Sequence, residues 1–410
     1  MMFIKKYFYY QWIIVLTIIL FFAGLIFSRA LLSITSVLII IPFLVNKEIL
    51  NLTERKLILS FMLLLLPVLV SYFWSNDKET WLRFVFIKLP LLFIPLGLLS
   101  IKKIEKSIWI ISTKIIIGII FLCSVWSVWN YSIRIEEISK SYLVAKLIPT
   151  VLEDDHVRFS WLIVLTIILL VRIAFEEWLT LQKVVKFLYL GLLFWFVFYL
   201  HLLAAKTGLV CFYSAILFFG IFLMKEKKYR LKILVAGFVI IITAASSYFL
   251  LTTLRNRIQY VQYEYSIYSK GEFVSGSNDG ARVLSWKAGI SIFKQNILLG
   301  TGFGDIPKSI KNWHQKNYPT SQLYEQFLPL NEWLVYASAS GIFGFLIFSG
   351  GIFWLMILIW KTKDVFLKMS FLISLIPLLI DDSLEGQFGV FIFSFFISWG
   401  YLQFSKVSIK

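Results

Sequence analysis

A succession of apolar runs constrains this chain more than any other feature. Twelve can be drawn, at residues 8–27, 31–44, 57–74, 84–99, 108–129, 159–175, 187–203, 208–224, 231–251, 333–359, 366–380 and 388–402. Most approach the roughly 20 residues that a helix needs to cross a hydrocarbon layer about 30 Å thick. At 59% hydrophobic and 15% charged over 410 residues, the chain carries more apolar surface than a soluble core could hide, so the membrane is its solvent. The expected fold is an all-α integral membrane protein with about 12 transmembrane helices. Nine spans lie in residues 1–251, a large outer loop covers 252–331, and three spans occupy 332–410. The start resembles a signal peptide, but Phe27-Ser28-Arg29-Ala30 is a poor small-residue cleavage site and apolar sequence resumes at once, so 8–27 reads as a retained first span.

Charge sets the orientation. With an even number of spans both termini share one side, and the segments on that side hold twenty-one Lys and Arg, against four in the short opposite connections around Arg29, 75–83, 204–207 and 381–386. Lys and Arg concentrate on the cytoplasmic side of membrane proteins, so both termini of this multi-pass protein are expected in the cytoplasm, with the long loops on the outer face. The net charge of +17 follows largely from basic loops facing anionic lipid. No basic-aromatic module accompanies it, and no nucleic-acid partner is expected. Cys123 and Cys211 fall inside spans without a metal-ligand pattern and read as packing residues. Lys88 and Lys114, the clear cations within spans, are expected to snorkel to a span end.

Polar sequence collects in two outer segments, 130–158 and 252–331, too long to be simple connections. The second opens with Tyr260, Tyr263, Tyr265 and Tyr268, followed by a polar turn at 275–280. Asp279 is a candidate helix N-cap, after which Val283, Trp286, Ile290, Phe293 and Ile297 recur at helical spacing until Gly300. The spacing predicts an amphipathic helix lying on the membrane surface, with Arg282, Lys287 and Lys294 on its other side as a solvated face or an anion-binding one. In Gly300-Thr301-Gly302-Phe303-Gly304 a glycine-rich loop either cradles a phosphate with backbone N–H groups or turns the chain tightly back to the membrane. No strand precedes it, which excludes a dinucleotide-binding fold. The cluster Glu153-Asp154-Asp155-His156 holds metal-ligand side chains but reads as a solvated acidic loop, and His201 and His314 are candidate proton carriers.

Taken in order, these motifs resemble the O-antigen ligase and polymerase superfamily. Lys206-Thr207-Gly208 stands where the family has a basic residue at an outer span start, Arg282 to Trp286 matches its arginine helix, and 296–304 matches its glycine turn. Leu330-Asn331, followed by Gly341 and Gly344, keeps the spacing of the family's His-Asn motif, but Leu330 replaces the histidine. Asp155 to Ser160 also looks like the family's outer-loop end, where an arginine, here Arg158, opens a span. The resemblance covers the C-terminal half by motif and the N-terminal half by topology.

The resemblance implies a GT-C-like, metal-independent, inverting glycosyltransferase without a cofactor. Its donor would be an undecaprenyl-diphosphate-linked oligosaccharide, and its acceptor another glycan (polymerase) or lipid A-core (ligase). Lys206, Arg158 and Arg282, with Gly300, Gly302 and Gly304, would hold the donor diphosphate, because cations stabilise charge on a departing diphosphate. Asn331 would serve the acceptor motif. With the histidine missing, Glu325, Glu332 and His314 become candidates for proton removal beside Arg282, and Glu325 ranks first. Glu332, two residues from Leu330, should point away, since two residues rotate a helix by about 200°. Structural roles compete: Lys206 and Arg158 as interface anchors, Asn331 as an N-cap. The absent histidine favours polymerase over ligase. A polysaccharide transporter or flippase is the alternative of another class, and would show repeated halves or paired charges at mid-membrane.

Overall fold

The apolar runs become helices in the computed structural model, which describes residues 2–45, 50–101, 104–144, 146–152, 155–227, 230–268, 278–319 and 321–408. Residues 153, 154 and 275–277 of the acidic cluster and polar turn lie outside the described residues, as does the side chain of Asp279. The first half contains α1 (Met2–Phe27), α2 (Arg29–Leu38), α3 (Ile41–Val45), α4 (Leu52–Val70), α5 (Lys78–Lys88), α6 (Pro90–Leu99), α7 (Lys106–Ile133), α8 (Ile135–Ser141) and α9 (His156–Glu177). It continues with α10 (Lys183–Leu203), α11 (Lys206–Leu223), α12 (Arg230–Leu250) and α13 (Thr252–Tyr268). The second long loop folds into α14 (Asn278–Gln295) and α15 (Ile306–Asn317), and the chain ends with α16 (Glu332–Trp360), α17 (Val365–Ile380) and α18 (Gln387–Lys406).

Eight of these stretches are long and apolar enough to cross a membrane, and shorter apolar helices cover Ile14–Phe27, Arg29–Leu38 and Val365–Ile380. Helix α12 coincides with the run at 231–251. The protein is an all-α integral membrane protein. Among the described residues one strand pairing occurs, two residues long, between Ile104–Glu105 and Val407–Ser408.

Two spans differ from the apolar runs in ways that matter. Helix α5 begins at Lys78 because the Asp77 carboxylate accepts from the Thr80 amide at 2.9 Å and the Thr80 hydroxyl at 2.8 Å. Those bonds hold the exposed Asp77 carboxyl below the usual carboxylate range. Helices α5 and α6 make one span, Lys78–Leu99, so Lys88 lies in its middle rather than near an end.

Helix α16 is broken at Gly341 (φ 62°, ψ −161°). A break in a span frees backbone groups that lipid cannot satisfy. The glycine turn satisfies them: Thr301 N donates to Ser338 O at 3.0 Å, Gly302 N to Ala339 O at 2.8 Å, and Ile342 N to Ile297 O at 2.7 Å. The approach is close enough that a Cβ on Gly300 (φ +69°) would meet the Ala339 carbonyl carbon at 2.4 Å, and one on Gly341 would meet Leu298 O at 2.2 Å. Either residue changed to alanine combines left-handed strain with a backbone clash and is expected to cost about 2–6 kcal/mol. Thermal unfolding of the purified variants in detergent checks this, and a melting temperature equal to that of the unmodified protein would contradict the interlock.

Helix α14 is two-faced in a different sense from the one its spacing predicts. Ala281, Leu284, Ser285, Ala288 and Ile292 are buried, while Ile290 and Ile297 are 45% and 53% exposed. Small side chains let α14 approach the entrance to α16 closely; a Cβ on Gly289 would stand 2.7 Å from Pro329 Cγ and 2.8 Å from Leu334 Cγ. The large apolar residues Ile290, Ile297, Leu298 and Leu299 form an outward row instead.

The two ends of the bundle differ in chemistry. At one, Arg172 is ion-paired with Asp364 and with Glu176, and the Gln403 amide donates to Glu176 at 2.7 Å. Nearby Lys114 pairs with Glu177 at 3.3 Å. At the other, the segments poor in Lys and Arg converge, and there the polar sequence meets.

Candidate functional site

A cavity of about 660 Å³ opens at the end of the bundle that is poor in basic residues, bounded by the start of α2, the first half of α5, the entry to α9 and the α17–α18 connection. Three arginines line it, Arg29, Arg83 and Arg158, together with Glu79, Asp155 and Glu385. Each arginine comes from a different segment, so tertiary packing alone brings them together. Arg29 and Arg83 are exposed at the cavity, and the Arg29 guanidinium also lies 5.5 Å from the centre of the Phe388 ring.

Beneath the cavity lies a buried ionic triad. Lys88 Nζ stands 2.7 Å from Glu385 Oε1 and 3.3 Å from Glu332 Oε1, and none of the three side chains is more than 2% exposed. Lys88 therefore does not snorkel; its ammonium is held inside the span, 4.8 Å from the centre of the Tyr336 ring. Isolated charges at this depth are too costly to keep, which is why the lysine is ringed by carboxylates and an aromatic face. Glu332 Oε2 accepts the Leu384 amide at 3.0 Å, fixing the turn that carries Glu385. Glu385 Oε2 is buried and takes no hydrogen bond among the described residues.

Arg158 organises the cavity wall. Its Nη1 lies 2.7 Å from Asp155 Oδ2 and 3.9 Å from Asp381 Oδ2, its Nη2 donates to the Asp382 carbonyl at 3.0 Å, and its Nε donates to the Ser383 carbonyl at 3.3 Å. Asp155 also caps α9 through the Arg158 amide. Burial pushes the Asp381 carboxyl above the usual carboxylate range, opposed by Arg158 and then by Arg282. Arg282 thus joins the cluster electrostatically, with Nη1 buried and without a hydrogen-bond partner among the described residues.

The other residues singled out in the sequence are distributed around this centre. Gly208 packs against Ser160, a Cβ there meeting Ser160 Cβ at 2.4 Å, so α9 and α11 start side by side; Lys206 Nζ nevertheless turns to Glu264, at 3.8 Å. Asn331 caps α16, accepting from Leu334 N at 3.0 Å and donating to Leu379 O at 2.7 Å. Leu330 is held by its backbone to the arginine helix, its carbonyl accepting from Trp286 Nε1 at 2.8 Å and its amide donating to Ser285 Oγ at 3.1 Å.

Glycines 300, 302 and 304 differ from a phosphate cradle because their amides are already bonded to protein: Gly300 N to Asn296 O, Gly302 N to Ala339 O, and Gly304 N to Ser75 Oγ. Glu325 and His314 are not loose loop residues either. Both are buried, with Glu325 accepting from Gln322 N at 2.7 Å and His314 Nδ1 3.1 Å from Ser321 Oγ. Burial holds the His314 imidazole below its ordinary pKa, with the charge of Glu325 opposing. Neither lines the arginine cavity. His201 likewise is buried, between Val197 O and the Tyr213 hydroxyl.

Arg29, Arg83, Lys88, Asp381, Asp382 and Glu385 were not singled out as site residues by motif. The usable signal was a lysine inside an apolar run together with carboxylates in otherwise short connections.

Beyond the glycine turn a second, shallower cleft of about 690 Å³ is lined by Trp74, Asn76, Gln295, Asn296, Ser309 and Asn312, among others. The Asp305 carboxylate on its edge accepts the Asn76 amide, the Asn76 side-chain amide and the Asp77 amide, tying the turn before α5 to the start of α15.

No curated protein matches the chain. Residues 191–349 match the protein-family model described as O-antigen ligase. That stretch contains Lys206, Arg282, the glycine turn, Asn331 and the break at Gly341, whereas Arg29, Arg83, Lys88, Arg158 and Glu385 lie outside it. The interlock of the glycine turn with Gly341, and the arginine helix packed beside Leu330, thus lie in a stretch similar to the O-antigen ligase family, and that match supports the resemblance of the chain to the O-antigen ligase and polymerase superfamily.

Proposed function

We propose that this membrane enzyme of polysaccharide assembly is an inverting, metal-independent glycosyltransferase. It takes a glycan from an undecaprenyl-diphosphate carrier on the periplasmic side of the inner membrane, with both termini cytoplasmic. The observation that carries the reading is the convergence of Arg29, Arg83 and Arg158 on one cavity. Guanidinium groups pair bidentately with phosphate oxygens and stabilise the charge that grows on a diphosphate as it leaves. Arg158 is largely engaged by Asp155 and the 381–383 turn, so it shapes the wall, while the exposed Arg29 and Arg83 meet the diphosphate. Arg282 and Lys206 extend the positive field, and Gly300, Gly302 and Gly304 hold the scaffold.

Proton removal falls to Glu385 rather than to Glu325, Glu332 or His314, because Glu385 alone of the four lines the cavity. The acceptor hydroxyl gives its proton to the Glu385 carboxylate and its oxygen bonds to the anomeric carbon. The bond from that carbon to the diphosphate breaks, and the diphosphate departs with the electron pair. Lys88 keeps the carboxylate oriented and its charge compensated. With Leu330 in place of a histidine, polymerase is favoured over ligase. The buried triad also suits a flippase, the reading of another class, and the two separate by whether purified protein forms a new glycosidic bond.

Arg83→Ala is expected to lower transfer by about 10²- to 10³-fold without reducing the amount of inserted protein, since one charge at the leaving group is lost. The measurement is the surface-glycan ladder of a deletion strain carrying each variant, and an unchanged ladder would remove Arg83 from the site. EDTA is expected to leave transfer by the purified enzyme intact. Loss restored by Mg²⁺ or Mn²⁺ would overturn the metal-independent reading.

A further inference from the structure

The cleft beyond the glycine turn has the opposite chemistry to the arginine cavity. Its polar lining is dominated by side-chain amides and two hydroxyls, from Asn76, Gln295, Asn296, Asn312, Thr301 and Ser309, with the indole of Trp74. The two charged groups on its edge, Asp305 and Lys308, are of opposite sign, and Asp305 accepts three hydrogen bonds from the 76–77 turn. Trp74 Nε1 is buried and takes no acceptor among the described residues. In this cleft, therefore, hydrogen-bonding capacity is high and net charge is low.

We infer that the cleft is a subsite for the uncharged sugar residues of a glycan substrate, separate from the site of the diphosphate. A carboxamide both donates and accepts, which matches sugar hydroxyls that do the same, and an indole offers an apolar face with a single N–H donor. The Gly300 and Thr301 amides at the cleft are bonded to protein, so an anion gains little from them. The segment that runs from Trp74 and Asn76 in the cleft continues into α5, whose Glu79 and Arg83 line the arginine cavity. From Asn76 to Arg83 the chain advances by about 10 Å at helical rise, within reach of a short oligosaccharide. One substrate can thus set its diphosphate or its reacting sugar in the cavity and its further sugars in the cleft. The inference rests on the glycosyltransferase reading for the identity of the substrate.

The test uses the full-length protein in lipid nanodiscs. The probes are neutral fragments of one to four repeat units, released by mild acid from the surface polysaccharide of the strain that carries the protein, with inorganic pyrophosphate as the control. Binding is read by hydrogen exchange of peptides covering residues 74–77 and 295–301. The fragments are expected to protect both peptides in the unmodified protein, and pyrophosphate neither. Gln295→Ala with Asn312→Ala removes two exposed amides on helix surfaces and is expected to weaken fragment binding about tenfold. Trp74→Ala removes the ring that lines the cleft and is expected to weaken it severalfold. Absence of protection, or equal affinity in all three proteins, would overturn the subsite. If deletion of the gene leaves the glycan ladder unchanged, the glycosyltransferase reading fails. If the ladder needs the protein but the fragments do not bind the cleft, the subsite alone fails.

Discussion

Glutamine in place of Glu385 is expected to slow glycan transfer about 10²- to 10⁴-fold, the usual contribution of a positioned general base. It should leave a residual rate, because a diphosphate is a good leaving group and the arginines remain. Glutamine keeps the size of the side chain and can still accept from Lys88, so the amount of inserted protein should change little. A purely structural Glu385 would lower protein and activity together. The separating measurement is the split between kcat and KM of purified enzyme: Glu385→Gln should lower kcat with little change in KM, and Glu385→Asp should keep part of the rate. A Glu385→Gln enzyme with the kcat of the unmodified protein would return the residue to a packing role.

The second large effect concerns Lys88. Changing it to methionine leaves Glu332 and Glu385 buried without their ammonium, and removing one partner of a buried ion pair typically costs about 3–5 kcal/mol. Lys88→Met is therefore expected to deplete the inserted, detergent-stable protein. Adding Glu332→Gln and Glu385→Gln removes the uncompensated charges and should recover most of the folded protein, though not the activity. A single Lys88→Met protein as stable as the original would mean that the triad is solvated in the membrane and that its burial is misread.

The helices were readable because a span needs only length and hydropathy, and both are local. The proposed orientation rests on charge asymmetry, which sums over many loops. Lys88 was misjudged for a physical reason. Its depth depends on where α5 starts, which the Asp77 cap decides, and its partners lie 244 and 297 residues further along the chain. No local pattern separates a snorkelling lysine from a paired one. The apolar spacing in α14 was real, but Leu284 and Ile292 are buried while Ile290 faces outward, and small residues such as Ala281, Ala288 and Gly289 make the close packing against Pro329 and Leu334 possible. The glycine turn announced a tight approach, yet its partner was hidden in a span: Gly341 meets Leu298 and Gly300 meets Ala339. Arg29 and Arg83 counted in the sequence only as charges in short connections, because the cavity that unites them with Arg158 exists only after folding.

The most direct test of the central claim is the reaction itself. Purified protein in nanodiscs is supplied with undecaprenyl-diphosphate-linked repeat units extracted from its own strain, in the presence of EDTA, and the lipid-linked glycans are separated by size. The account predicts lipid-linked dimers and longer oligomers, with equimolar release of undecaprenyl diphosphate, and nearly none from Arg83→Ala or Glu385→Gln protein. Repeat units left unlinked, both alone and with lipid A-core supplied as acceptor, would contradict it.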